Sequence, residues 1–426
     1  MNLNRYNLKN GLVYLNGELV KKDILIENGI VIKIEDNIID MTNIDCSSKL
    51  ITPSFIDGHV HFRTPGLSYK EDLKSGSLAA LHGGYSHVCT MANTIPCLDN
   101  YNDMSEYLEQ INKEAHCNII PFSAATLDLK GEKKVDFEKL STLDIVGFSD
   151  DGRGVQDDEL MKEILIECGK HNKLFSAHCE DEEELGNANS FNKSSNNENG
   201  INNASEANMI RRDVEIIKKI HNKYEYQYHV CHISTRESLE VIKDAKHNKL
   251  NVTCEVTPHH LISNDSEIDL NDTNYKMNPP LRSKEDQEAM IEALNSGLID
   301  MIATDHAPHS NEDKQLPIDQ APFGIIGLEL AFSLIYTNLV KTNKVKLETI
   351  LKAMIDKPQE VFKIDNSLKV GNRAYLNIID LDEEISYTKD NLYSKSSNTF
   401  YLNTKLFGVI EETIFENERY QWRKGD

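Results

Sequence analysis

Histidine and aspartate recur in this chain at places where they could converge on a metal ion. The clearest local signal is His59-Val60-His61, because alternation along an extended strand sends both imidazoles to one face while Val60 points to the other. Taken alone, such a pair says little. Its weight comes from where the other candidates fall. Asp151 closes the run IVGFSDDG (145–152), His178 closes KLFSAHCE (173–180), His232 closes YQYHVCHIS (226–234), and Asp305, His306 and His309 close IDMIATDHAPH (299–309). Histidines recruited only for packing have no reason to gather at the C-terminal ends of strand-like runs. Imidazole nitrogen and carboxylate oxygen suit zinc, and a catalytic zinc keeps one position open for water. Four histidines and two carboxylates are too many for one such ion; they suit two ions about 3.5–4 Å apart that share a bridging carboxylate. The resulting assignment puts His59, His61 and Asp305 on one ion and His178 and His232 on the other, with Asp151 bridging. Asp150 competes for the bridge, since alternation in GFSDDG lets only one of the two aspartates face the site.

Other residues near the same run ends suggest a small-molecule pocket. Arg63 lies two positions after His61 and could hold a carboxylate bidentately. Asn93 ends a second run, Asn278 lies in KMNPPLR, His309 follows a proline, and Gly324 in APFG could present a backbone N–H. The polar, proline-punctuated stretch from His309 to Gly324 reads as a mobile lid or an ordinary long loop. His229, three positions before His232, is expected on the opposite side of its strand. His259 and His260 are expected to be structural.

Positioning these groups is the task of eight strand-like runs: FIDGHVHFR (55–63), SHVCTMAN (86–93), NIIPFSAAT (118–126), the four named above, and NVTCEVTP (251–258). They alternate with amphipathic helical stretches such as DELMKEILIECGKHNK. Eight strand–helix units close a (β/α)8 TIM barrel, whose sites lie at the strand C-termini. This α/β barrel is assigned to 52–364. Before it, GLVYLNGELV and KKDILIENGIVIKIED read as strands with Asn-Gly hairpin turns at 16–17 and 28–29. Strand signals return after 365, so 1–51 plus 365–426 are expected to form a small β-sandwich domain from both chain ends. Residues 187–203 carry eight Asn and no apolar period, which predicts a solvated loop.

Composition narrows the function. Against 46 basic side chains stand 69 acidic ones in 426 residues, a formal charge of −23, which argues against a nucleic-acid binder. Hydrophobic residues at 39% and charged residues at 27% are globular proportions, and no apolar stretch approaches the roughly 20 residues that cross a bilayer. The start lacks a basic segment followed by an apolar run, so a cytoplasmic protein is expected. Eight scattered cysteines without a C-x-x-C pair are expected to be reduced packing residues.

With DGHVHFR, MANT, FSDDGRGVQ, AHCED, CHIST, EVTPHH, KMNPPLR, TDHAPH and APFG in this order, the sequence resembles the dihydroorotases of the class I bacterial type, in the amidohydrolase superfamily. The resemblance spans nearly the whole chain. It implies zinc-dependent, reversible ring closure of N-carbamoyl-L-aspartate to L-dihydroorotate in pyrimidine synthesis, with one or two zinc ions per chain, two favoured. It puts His59, His61, Asp151, His178, His232 and Asp305 on the metal-site positions and makes Asp305 the catalytic acid/base. Arg63, Asn93, Asn278 and His309 fall on substrate positions, with Phe323 and Gly324 in a segment of backbone contacts. A homodimer is implied, and aspartate transcarbamoylase is admitted as a partner. Ser149-Asp150-Asp151 stands where many superfamily members carry a carboxylated lysine, and MANT replaces the commoner MPNT. Other cyclic amidohydrolases, dihydropyrimidinase or allantoinase, are rival readings, as is a non-catalytic dihydroorotase-like subunit; a substrate without a carboxylate would leave Arg63 without a partner.

Overall fold

The computed structural model describes residues 4–185 and 203–422. The Asn-rich stretch, apart from Asn203 at the start of a helix, lies outside the described residues.

Five strands open the chain: β1 (Arg5–Leu15), β2 (Glu18–Glu27), β3 (Ile30–Glu35), β4 (Asn43–Asp45) and β5 (Lys49–Pro53). The β1–β2 and β2–β3 turns are built on Asn16-Gly17 and Asn28-Gly29, all four at positive φ, the backbone that a tight hairpin demands and that Asn-Gly supplies at least cost. At Gly29 a side chain would also collide with the Glu416 carbonyl, 2.2 Å from an ideal Cβ.

Next come β6 (Phe55–Val60), β7 (Tyr85–Thr90), β8 (Asn118–Ile119), β9 (Phe122–Ser123), β10 (Gly147–Ser149), β11 (Leu174–Ala177), β12 (Tyr228–Val230), β13 (Val252–Val256) and β14 (Met301–Ile302). They form two parallel arcs, β6-β7-β8 and β9-β10-β11-β12-β13-β14. Only Ile120 and Pro121 separate β8 from β9 in the chain. At the other end a parallel bridge joins Val60 to His306, and the His61 N–H donates to the His306 carbonyl at 2.8 Å. Strands covered on both faces read as unbroken apolar runs; every residue of β6 and β7 is buried. Helices such as Leu73–His82, Asp158–Lys170 and Arg236–His247 lie between the strands. Each starts on a side-chain cap, from Asp72, Asp157 and Thr235 respectively. Their apolar faces meet the strands in one core that includes Leu81, Val88, Phe148, Ile164 and Ile242.

The chain closes with β15 (Leu376–Ile385), β16 (Leu406–Phe415) and β17 (Glu418–Gln421). Antiparallel pairing of β15 with β5 joins them to the first strands in one eight-stranded sheet, β17-β16-β15-β5-β1-β2-β3 with β4 beside β1. This corrects the expected β-sandwich. The sheet is hydrogen-bonded continuously and curls, so that the β3 edge meets the lead-in to β15: Val31 donates to Asn372 at 2.9 Å and Gly371 to Val31 at 2.8 Å. Its concave side encloses Leu8, Ile24, Val31, Ile51 and Leu376.

All eight cysteines are unpaired and seven are buried. Among the described residues no helix is long and apolar enough to cross a membrane.

Candidate metal centre

At the C-terminal ends of the two arcs the side chains singled out in the sequence come together. His59, the fifth residue of β6, is wholly buried. Its Nδ1 lies 2.8 Å from Glu255 Oε1 and donates there, which turns Nε2 toward the cluster. That nitrogen has no hydrogen-bond partner and lies 3.4 Å from Asp151 Oδ1 and 3.5 Å from Asp305 Oδ1. The His61 ring lies 5.2 Å from the His59 ring; its Nδ1 meets Asn93 Oδ1 at 2.9 Å and its Nε2 meets Asp305 Oδ1 at 3.0 Å. Opposite, His178 Nδ1 is 3.4 Å from Asp151 Oδ1 and 3.2 Å from His232 Nε2. His232 Nε2 is in turn 3.8 Å from Asp151 Oδ1.

These atoms fit a divalent cation. The buried His59 nitrogen without a hydrogen-bond partner is costly in any other role, and the His178 and His232 ring nitrogens, 3.2 Å apart, are close enough to share one ion with Asp151. Two overlapping donor sets are close enough to share one ion each, His59-His61-Asp151 and Asp151-His178-His232, with Asp151 common to both. Burial opposes ionisation throughout the cluster. Even so, Asp151 and Asp305 hold His59 well above the usual histidine range, Asp151 and Glu180 raise His178 to about 10, and Asp151 is kept well below the usual carboxylate range. His61 is the exception, lowered by burial and by Arg63.

Backbone strain accompanies the cluster. Arg63, His232 and Asp305 have φ of 55°, 29° and 48°, a region non-glycine residues occupy only where the surroundings impose it, commonly at functional sites. Asp57 supplies part of that constraint by accepting from the N–H groups of His59 and Thr304, both at 3.1 Å, so that the ends of β6 and β14 are held together.

Asp150 and Asp151 separate cleanly. Asp150 Oδ1 accepts from the N–H groups of Ala125 at 2.8 Å and Thr126 at 2.9 Å, and Oδ2 from the Thr126 hydroxyl; Asp151 faces the histidines.

A cleft of about 600 Å³ opens over the cluster, lined among others by Arg63, Asn93, Asn278, His309, Phe323 and Gly324. Several expected roles change. The Gly324 N–H is already engaged with the Lys276 carbonyl at 2.9 Å and cannot also serve a ligand; glycine is needed there because an ideal Cβ would stand 2.7 Å from the Ala307 oxygen at φ 143°. The Phe323 carbonyl is 2.8 Å from His309 Nε2. Asn93 lines the cleft, yet besides facing His61 it donates to Asp151 Oδ2 at 3.0 Å, so both ends of its amide brace the cluster. His306 points away, its Nδ1 accepting from Gly327 N–H at 3.2 Å. His229 faces the interior rather than the opposite side, 3.0 Å from Glu255 Oε2, because the positive φ of His232 breaks the alternation.

Sequence reasoning missed two carboxylates. Glu255 in β13 bridges His59 and His229, which hold its carboxyl down at about 2 against the effect of burial. Glu180 lies 3.3 Å from His178 Nε2 and accepts from Asn278 Nδ2 at 3.1 Å. Such outer partners fix tautomer and ring orientation. Glu255→Gln is therefore expected to weaken divalent-metal binding about 10–100-fold, read by competition with a chelator; unchanged affinity would reduce Glu255 to a packing role.

Among solved structures, the dihydropyrimidinase of Brevibacillus agri superimposes with a TM-score of 0.85 at 18% identity, covering 97% of this chain and 94% of that one. The L-hydantoinase of Arthrobacter aurescens gives 0.84 at 23%, covering 97% and 95%. These show the shared fold. Dihydroorotases of Bacillus cereus and Bacillus cytotoxicus are 41% and 42% identical over 428 residues, each alignment covering 98% of both chains. The profile of dihydro-orotase-like proteins matches residues 48–238. The chain is thus a cyclic amide hydrolase of the amidohydrolase superfamily. Within that class it belongs to the dihydroorotase-like family.

Proposed function

We propose that the chain is a dihydroorotase of the class I bacterial type, closing N-carbamoyl-L-aspartate to L-dihydroorotate and reopening it in de novo pyrimidine synthesis, with two zinc ions. The observation that carries this reading is the convergence of His59, His61, His178 and His232 on Asp151, with Asp305 against His59 and His61, beneath a cleft that also presents Arg63. In this reading the two parallel arcs form one closed (β/α)8 barrel over 52–364, with 1–51 and 365–426 as the second domain; the Val60–His306 bridge and the short β8–β9 step support it.

When bound, divalent cations polarise a carbonyl and ease removal of a proton from water. The protein's own groups do the rest. Arg63 holds the ring carboxylate, with Asn278 and His309 beside it, so that binding fixes the reacting carbon over the cluster. His309 stays neutral: burial, Arg63 and Lys70 push it down to about 2, and its Nε2–H is directed at the Phe323 carbonyl. For hydrolysis, Asp305 takes the proton of the attacking water and delivers it to the ring nitrogen as the C–N bond breaks; for closure it removes the ureido proton as the C–N bond forms and delivers it to the departing carboxylate oxygen, which leaves as hydroxide as the C–O bond breaks.

Turnover of dihydroorotate, dihydrouracil and allantoin by the same preparation tests the reading, and dihydroorotate is expected to be the best substrate. In Arg63→Ala its KM should rise about a hundredfold, as for loss of a charge-assisted bidentate contact, with zinc per chain unchanged. Equal turnover of dihydrouracil by the native protein would move the chain to another branch of the class.

A further inference from the structure

The stretch from His309 to Gly324 is fastened rather than loose. It contains a short helix, Asn311–Lys314, and Lys314, 9% exposed, turns inward. Its Nζ donates to three carbonyl oxygens, those of Thr273 at 3.0 Å, Lys276 at 3.1 Å and Pro322 at 3.0 Å, so each ammonium N–H has a partner. The connection is reciprocal. The Thr273 hydroxyl donates to the Lys314 carbonyl. Lys276, 2% exposed, donates from Nζ to the Ile318 carbonyl at 2.5 Å and lies 4.6 Å from the centre of the Phe323 ring. Neither lysine lines the cleft. The segments they join run directly into it, one through Asn278 and the other through Phe323 and Gly324.

We infer that Lys314 and Lys276 form a two-way clasp that positions both substrate-facing loops, and that they are positioning residues for the carboxylate-bearing end of the substrate. The inference rests on the function proposed above for the identity of that substrate. A buried ammonium is an expensive way to fill space. Three donors meeting carbonyls from two different segments instead fix the distance between those segments, which hydrophobic packing, being non-directional, does less sharply. Lys70 Nζ, 3.1 Å from Asp313 Oδ2 and 3.2 Å from His309 Nδ1, ties the near end of this stretch to the segment between β6 and the helix Leu73–His82.

The test compares the native protein, Lys314→Met and Lys276→Met. Both variants are expected to raise the KM for L-dihydroorotate, Lys314→Met about tenfold or more, while kcat and zinc per chain stay within about threefold of native. Hydrogen exchange in 309–324 should accelerate in both. Native KM in both variants, loss of kcat and zinc together at unchanged KM, or exchange in 309–324 that stays as slow as in the native protein would overturn the clasp. Should Lys314→Met fail to fold, Lys276→Met, which removes one of the linking hydrogen bonds, decides by the same criteria. The exchange comparison needs no substrate, so a native protein inert toward dihydroorotate would end the proposed function while exchange still decides on the clasp.

Discussion

Asp305→Asn should lose about a thousandfold or more in kcat in both directions, within the usual span for removal of a general acid–base group, while melting within a few degrees of the native protein. The choice of asparagine matters. Asp305 sits at φ 48°, where Asn is among the few residues at ease, so the substitution adds no backbone strain. It keeps the shape and the contact 3.0 Å from His61 Nε2 but cannot carry a proton. In the native protein the carboxyl is buried yet held far below its ordinary range by His59 and His61, so it is ionised and able to accept. Assays at saturating zinc separate the lost proton carrier from any loosened metal. A zinc-replete variant within tenfold of native kcat would remove Asp305 from the proton path.

Much of this site was legible because its chemistry falls on strand ends. Buried strands announce themselves as apolar runs, and His59, Asp151, His178, His232 and Asp305 each sit at or just past one. The Asn16-Gly17 and Asn28-Gly29 turns were legible for a local reason, the need for positive φ in tight hairpins. What stayed hidden depends on partners far along the chain. Whether strands at the two chain ends stack as two sheets or curl as one is decided by pairings such as Leu376 with Pro53, which no window of sequence contains. Likewise nothing around Gly324 tells that the Lys276 carbonyl takes its N–H. Glu255 had a usable signal: a carboxylate in the middle of NVTCEVTP would be buried, and a buried carboxylate requires a partner. Asking which histidine meets that need leads to His59 and His229. Glu180 carried less signal, since AHCED ends at a rim where acidic residues are ordinarily solvated.

Adjacent aspartates in FSDDG offer the sharpest contrast in expected outcome. Asp151→Asn removes the one charge common to both donor sets and leaves His59, His178 and His232 facing one another without it. Bound zinc should fall to half or less of native and turnover by about a thousandfold or more, as expected when charge stabilisation and proton removal fail together. Asp150→Asn should act on the fold instead. Its carboxylate receives two backbone N–H groups on Oδ1 and the Thr126 hydroxyl on Oδ2; an amide oxygen keeps the two N–H groups, but the amide nitrogen cannot accept from the hydroxyl, and a buried donor left unmet costs about 1–3 kcal/mol. Lower thermal stability with zinc per chain near native is the expected signature. The two variants therefore dissociate metal content from melting temperature in opposite directions. An Asp150 variant that melts normally and loses zinc would transfer the bridging role to Asp150, because no structural debt would then explain its three hydrogen bonds.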